Sequence, residues 1–458
     1  MLLDPLPRWS RARLAARAVR HKVRAVGALG TFWPAVVRGG ELLARGRVRE
    51  FAGKLFNETA TVRAADAAPV RPGPPLLLAG HILRPGGYDT VVRALLEGLI
   101  GAGVNVVRDA DSVVRPDLIA PHLRPSEARP STPAPRLVAT PPHLLARFRP
   151  DRRTAAVTMW ETDTLPPAAV AALNRCGLVV VPTRWGADCF RANGVTAPVE
   201  VVPLGYDPGV FSAEPNPLTS FPGKEGGVKG EPPRSRGGFP GVRSPLRFGE
   251  GPGEGLFAPA LCVFGTAGAL DEGGLRKNVQ RVVDVFRRAF PADAGVRLRV
   301  KISPTSPPVR THGDPRIDVT RESLPPADLA DWYRSLTAFV NGSFGEGFGL
   351  HLLEAMACGR PLISTTFGGA GAFFDGAVGY DVGYRLVEAR NAVYAGRWAD
   401  PDDGHMIRRM RDVRHDPADA ARRGALAADR ARGFTWGGAV QKLLDVLARH
   451  GFVGKPAA

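Results

Sequence analysis

Residues 341–361 read NGSFGEGFGLHLLEAMACGRP, and the fold is decided there. Gly345, Gly347 and Gly349 keep side chains off a turn that leads from an apolar strand into a helix expected over Leu350–Cys358. The first amides of such a helix have no partner within it, and the helix dipole is positive at that end, so an anion, above all a phosphate, is the natural occupant. Glu346 stands on the lip of the turn. Glu354 lies about one turn inside the helix, among Leu350, Leu352, Leu353, Ala355, Met356 and Ala357. A carboxylate on so apolar a helix is costly unless a cation or hydroxyls meet it, and sugar hydroxyls suit a group that only accepts. The plain alternative is a glycine-rich turn with Glu354 facing water.

Working outward, Gly359 and Pro361 stop the helix and restart the chain as a strand over Leu362–Ser364. Upstream, strands are expected at Leu261–Phe264, Arg297–Ile302 and Thr337–Val340, with helices at Asn278–Phe290 and Ala327–Leu336 between them. An earlier series runs through strands Leu76–Ala79, Asn105–Val107, Arg136–Ala139, Ala155–Met159, Leu178–Val181 and Val199–Val202. Its helices are Tyr88–Ile100, Pro166–Asn174 and Trp185–Asn193. Nearly continuous apolar strands alternating with helices imply parallel sheets covered on both faces. The expected architecture is α/β: two doubly wound, Rossmann-like domains facing a central cleft, with ligand in the crevice. An amphipathic helix over Gly437–Arg449, with Val440, Leu443, Leu444 and Leu447 on one face, closes the chain.

The 458 residues carry 61 Lys plus Arg against 44 Asp plus Glu, a net +17. Residues 1–72 hold 14 of the basic and 5 of the acidic side chains, which leaves the rest only mildly basic. That segment reads as a basic helical extension, with a solvated face, an anionic lipid surface and nucleic acid as the competing roles. Interleaved aromatics, helix-turn-helix patterning and zinc spacing are missing, so nucleic acid is not an expected partner. Residues 213–257 contain 11 Gly and 8 Pro with no apolar periodicity, the composition of a disordered insertion. Cys176, Cys189, Cys262 and Cys358 form no metal or redox spacing, which points to a reducing compartment. Ala25–Val37, the longest apolar run at about 13 residues, falls short of the roughly 18 that span a bilayer. The expected location is cytoplasmic, peripheral at the inner face of the membrane.

The spacing of Glu346 and Glu354 within EGFGLHLLEAMACGRPLI is similar to the signature of retaining GT-B glycosyltransferases, the group-one family that includes bacterial mannosyltransferases and sucrose synthase. WETDTLP at 160–166, VPTRWGADCFRANGV at 181–195, VVPLGYDPGVF at 201–211, LRKNVQRVVDVF at 275–286 and FTW at 434–436 resemble further segments of such enzymes, in order. The resemblance implies an acceptor domain over 73–205, a linker over 206–257, a nucleotide-sugar domain over 258–435 and a helix over 436–458 that crosses back. It implies a hexosyltransferase that takes a sugar from a nucleotide diphosphate with retention of configuration. The acceptor would be a saccharide or a lipid-linked molecule. A silent binding or scaffold relative is the alternative.

By the same resemblance, Glu354 would accept hydrogen bonds from the donor ribose and Glu346 would touch the sugar near the reacting carbon. Amides of Gly347, Phe348, Gly349 and Leu350 would approach the diphosphate, with Lys277 and Arg276 balancing its charge. The family commonly carries an Arg on the loop after the first strand of the nucleotide-sugar domain, but here that loop reads GTAGALDEGG. Gly86 and Gly87 either let backbone approach the donor phosphates or form a surface turn. His81 either binds a sugar or is structural. Glu161 and Asp163 are acceptor-binding acids or solvated loop acids; Arg184 is placed for acceptor or phosphate, and Trp185 for packing. No loop carries an aspartate pair suited to a divalent ion, so no metal and no cofactor are expected.

Overall fold

The computed structural model describes residues 71–82, 87–109, 112–114, 119, 133–214, 261–270, 276–389 and 393–454. The basic extension and the glycine/proline-rich stretch lie outside these residues apart from 71–72 and 213–214. The chain divides into two units, residues 1–139 and 140–458.

In the first unit, β1 (Leu76–Ala79) lies between β3 (Val106–Arg108) and β5 (Arg136–Ala139), parallel to both. The short β2 (His81–Ile82) pairs in parallel with β4 (Val113–Val114). Helix α1 (Gly87–Gly101) buries Val91, Val92, Leu95, Leu96, Leu99 and Ile100, the recurrence at three and four residues that puts side chains on one helix face. Gly80 lets that face close in, since a Cβ there would come 2.6 Å from Val92 Cγ2.

The second unit opens with a 3-10 helix, Pro142–Phe148, and a parallel sheet β6 (Thr154–Val157), β7 (Leu178–Val181), β8 (Val199–Val201). Helices α2 (Pro167–Leu173) and α3 (Arg184–Ala192) connect its strands, and Thr183 caps α3 by accepting from Gly186 N at 3.0 Å. A six-stranded parallel sheet follows. Its elements in chain order are β9 (Cys262–Gly268), α4 (Val279–Ala289), β10 (Val296–Ile302), β11 (Ile317–Arg321), α5 (Pro326–Arg334), β12 (Ala338–Val340), α6 (Leu350–Ala357), β13 (Leu362–Ser364) and β14 (Gly379–Asp381). In space they run β11-β10-β9-β12-β13-β14. The chain builds outward from β9 through β10 to β11, then returns to β12 on the other side of β9. A reversal of this kind opens a crevice at the carboxyl ends of the two central strands.

One expectation needs correcting. The parallel strands are not all continuously apolar: β10, VRLRVKI, alternates fully and partly buried positions. Val296, Leu298, Val300 and Ile302 enter the core with Val282, Phe286 and Met410, while Arg299 turns the other way to Ser335 Oγ. β15 (Tyr384–Glu388) and β16 (Arg397–Pro401) form an antiparallel pair. Then come α7 (Asp403–His415), α8 (Pro417–Ala431) and α9 (Trp436–Arg449). The entry to α9 is stitched to the segment after β8: Tyr206 N donates to Phe434 O and Trp436 N to Tyr206 O, at 3.0 and 3.1 Å. Gly205 permits the crossing, because a Cβ there would lie 2.2 Å from the Thr435 carbonyl carbon.

Candidate functional site

The loop from β12 to α6 is built by its own small polar residues. Asn341 donates to Ser364 Oγ at 3.0 Å and accepts from Ser343 N at 3.2 Å. Ser343 Oγ reaches the carbonyls of Gly345 and Arg276, both at 3.0 Å, and Phe344 N donates to Arg276 O at 2.9 Å. The loop carrying Glu346 is thereby bound to the loop carrying Arg276 and Lys277, above the ends of β12 and β9. Gly268, the last residue of β9, leaves room for Lys277, whose Cβ would be 3.0 Å from an added one.

The glycines act differently from the simple expectation that they clear space for an anion. A Cβ on Gly345 would fall 2.3 Å from Glu161 O, and one on Gly347 would fall 2.6 Å from Met159 Cγ. Both let the loop after β6 press against this turn. Gly349 has φ +97°, a left-handed conformation open to glycine, and it starts α6.

Glu346 is 6% exposed, and its backbone is fixed by Gly369 N donating to its carbonyl at 2.7 Å. Lys277 Nζ lies 2.8 and 2.9 Å from its two carboxylate oxygens, and Arg276 Nη1 lies 3.1 Å from Oε2. Burial alone would raise the carboxyl pKa, but the two cations outweigh it and hold Glu346 well below the usual range. Burial pushes Lys277 down, against the pull of Glu346. Arg276 also donates to Gly345 O at 2.7 Å and lies 3.9 Å from Glu161 Oε1. Burial raises the Glu161 carboxyl despite Arg276, and a hydrogen bond joins Glu161 to Tyr394. The Tyr394 ring lies against Trp160 at 4.8 Å and under Arg276 at 5.9 Å.

Glu354 is half-buried on α6 and accepts from the Tyr333 hydroxyl at 3.1 Å. Burial pushes its carboxyl up to about 7, opposed by the Tyr333 hydrogen bond and by Lys301. His351, one turn before it, is half-buried, and its imidazole pKa is pushed down to about 3 by burial first and Lys277 second.

The structure brings Glu346, Lys277, Arg276 and Glu161 into one charge cluster, with Glu354 on the helix that follows. Phe348 turns its ring into the core against Phe373, so any part it takes in binding an anion falls to its backbone. Leu350 is half-buried at the helix start. Asp163 is not a free loop acid: Arg397 binds it through its backbone N at 2.7 Å and its Nε at 2.9 Å. Arg184 is exposed at the start of α3, and Trp185 packs edge-on against Phe367 at 5.3 Å. In the first unit Gly87 is exposed with φ +57° at the start of α1. Gly86 and the side chain of His81 lie outside the described residues. Asp402 caps α7 by accepting from His405 N, while Asp403 pairs with Arg281 and Arg288. Among the described residues no group of His, Cys, Asp and Glu is arranged to hold a metal ion. No helix among them is long and apolar enough to cross a membrane.

Sequence reading missed Tyr333, Lys301, Trp160 and Tyr394 as neighbours of the site. His351 carried a usable signal, since it stands three positions before Glu354 and helical spacing puts both on one face. Tyr394 carried none, because only the β15–β16 pairing brings it to Glu161.

Residues 262–395 match the family described as glycosyl transferases group 1. The D-inositol 3-phosphate glycosyltransferase of Kineococcus radiotolerans is 32% identical over 276 residues, 57% of this chain and 54% of that protein. The protein of the same name from an Arthrobacter species is 39% identical over 110 residues, 24% of this chain and 22% of its own. The chain thus spans about half the length, or less, of these curated relatives. Sucrose-phosphate synthase from Thermosynechococcus elongatus is similar in structure, with a TM-score of 0.56 and 17% identity over 82% of this chain and 99% of that one. Anabaena HepE, solved with UDP and glucose, gives a TM-score of 0.56 at 14% identity over 82% of this chain and 100% of its own.

Proposed function

We propose that the chain, which is similar to group 1 glycosyltransferases over residues 262–395 and to GT-B enzymes in fold, transfers a hexose from a nucleoside diphosphate donor to a hydroxyl acceptor with retention of configuration. The observation that carries the reading is the Lys277–Glu346–Arg276 cluster, built at the carboxyl ends of β9 and β12, with Glu354 one helix turn away.

Glu354 accepts hydrogen bonds from the ribose hydroxyls, and the diphosphate lies toward Lys277 and Arg276. Glu346 faces the transferred sugar. As the anomeric C–O bond breaks, positive charge grows on the sugar ring and negative charge on the departing diphosphate. Lys277 and Arg276 stabilise the departing diphosphate and Glu346 the ring, all fixed before reaction begins and largely shielded from water. The acceptor oxygen forms the new bond on the face the leaving group vacates, and its proton passes to the leaving phosphate oxygen. The two cations supply charge that a divalent ion supplies elsewhere, so the reaction is proposed to need none. The acceptor is a polyhydroxylated molecule: a saccharide, a lipid-linked saccharide or, by the names of the curated relatives, an inositol phosphate. The reaction is proposed to run at the cytoplasmic face of a membrane, with the basic residues 1–72 on anionic lipid.

A thermal-shift panel of UDP, GDP and ADP and their hexose conjugates tests the donor, followed by product analysis with the stabilising nucleotide sugar. Selective stabilisation with formation of an acceptor glycoside supports the reading. Stabilisation with neither transfer nor hydrolysis supports a silent binding protein.

A further inference from the structure

Three groups follow one another along the start of α6. Glu346 Oε1 lies 3.9 Å from His351 Nε2, too far for a hydrogen bond. Glu354 follows His351 on the same helix face. Lys277 and Lys301 both act on the imidazole electrostatically, and Lys301 acts on Glu354 as well. The Phe339 ring meets the imidazole edge-on at 5.8 Å and fixes its plane. Yet His351 Nε2 is buried and has no hydrogen-bond partner among the described residues. Such an atom has given up its hydration without replacement, and a native fold that keeps one needs a reason for it.

We propose that His351 Nε2 binds the donor diphosphate, seated between the ribose at Glu354 and the sugar at Glu346. The inference rests on the reading that the chain binds a nucleotide sugar. In such a molecule the diphosphate is the segment between ribose and hexose, and His351 occupies the matching place between the two acids. A phosphate oxygen there completes the bond that the protein leaves open. Burial and the neighbouring Lys277, Arg276 and Lys301 keep the imidazole neutral, with Glu346 the opposing influence. His351 therefore offers an N–H without adding another positive charge. This donor also answers the lack of an arginine in GTAGALDEGG, residues 265–274, which begins inside β9 and runs past its end.

The test is calorimetric binding of UDP, UMP, GDP and GMP to the full-length protein and to His351→Leu, His351→Phe and His351→Asn. His351→Phe keeps a ring against Phe339 but has no donor, so it serves if His351→Leu fails to fold. His351→Asn keeps a donor. For the base that the unaltered chain binds, loss of the donor is expected to weaken the nucleoside diphosphate about tenfold and the monophosphate less than about twofold. His351→Asn is expected to stay within about threefold of the unaltered protein. Equal diphosphate affinity in the unaltered and donor-free proteins would overturn the assignment, as would equal losses for mono- and diphosphate. If the unaltered protein binds neither UDP nor GDP, the glycosyl-transfer reading fails first and the His351 assignment falls with it.

Discussion

Tyr333 on α5 holds Glu354 on α6: its hydroxyl, in a residue 1% exposed, donates to the carboxylate at 3.1 Å. This bond opposes the burial that raises Glu354 to about 7. With its carboxyl pushed up to about 7, Glu354 gains charge across neutral pH, and the ionised form is the stronger acceptor for the proposed ribose hydroxyls.

Nucleotide-sugar affinity should therefore rise as pH increases from about 6 to 8. Tyr333→Phe removes an interaction that lowers the Glu354 pKa, so the midpoint of that profile should move to higher pH. Calorimetric affinities across the range check both statements. An unshifted midpoint in Tyr333→Phe would separate Glu354 from the effect.

The same shift affects folding. A carboxyl whose pKa is higher in the folded than in the unfolded chain binds more protons when folded. Its stabilising influence is complete below the unfolded value of 4.5 and is lost as pH rises toward 7. Glu354→Gln should accordingly raise the melting temperature at pH 8, by a free-energy gain of about 1–3 kcal/mol, and change it little at pH 4. Melting curves at the two pH values measure the difference.

On the proposed mechanism, Lys277→Met should lower kcat by about 10²- to 10³-fold, since it would remove the fixed charge assigned to the leaving group. It should also destabilise the fold by about 3–5 kcal/mol, because Glu346 keeps its buried charge with Arg276 as the one close cation left among the described residues. Glu346→Gln in the Lys277→Met background should recover much of the stability and none of the rate. Urea titration and steady-state kinetics of the single and double variants distinguish the two effects.

Gly345 and Gly347 both meet the loop after β6, but the opposing atoms differ. At Gly345 the neighbour is the Glu161 backbone carbonyl, and at Gly347 it is the flexible Met159 side chain. Gly345→Ala should cost about 2–3 kcal/mol, toward the upper end for overpacking, and Gly347→Ala about 1 kcal/mol, toward the lower end. Chemical denaturation ranks the two variants, and the opposite order would show that Met159 cannot move aside.

Exhaustive chelation should leave the transfer rate within about twofold if, as proposed, the Glu346-bound cations Lys277 and Arg276 balance the diphosphate charge. The assay is transfer with and without EDTA, then with magnesium or manganese restored.

The sequence made the parallel strands legible wherever local pattern and tertiary environment agree. Apolar runs of three or more residues between turn signals marked β7, β12 and β13, and the EGFGLHLLEAM segment identified the start of α6. It made the β15–β16 pair and β11 hard to see, because those strands carry exposed polar and charged positions and owe their pairing to partners distant in sequence. Of the site, Glu346 and Glu354 could be named from the glycine-rich turn and its helix, and Lys277 and Arg276 only through the family resemblance of LRKNVQRVVDVF. Their actual partners could not: Tyr333 sits in an ordinary amphipathic helix, and Tyr394 reaches Glu161 only through the hairpin. Asp163 misled because an acid on a loop after a strand looks solvated until Arg397 arrives from the far end of the chain.

Phe452 rests its ring tip 3.2 Å from where a Gly177 Cβ would be, and His450 bonds Glu200 at 3.0 Å. Residues around β7 and β8 thus depend on partners about 250 positions later in the chain. Trimming the chain at about residue 433 should therefore harm the region around residues 177–206, which loses these contacts, more than the parts nearest the cut.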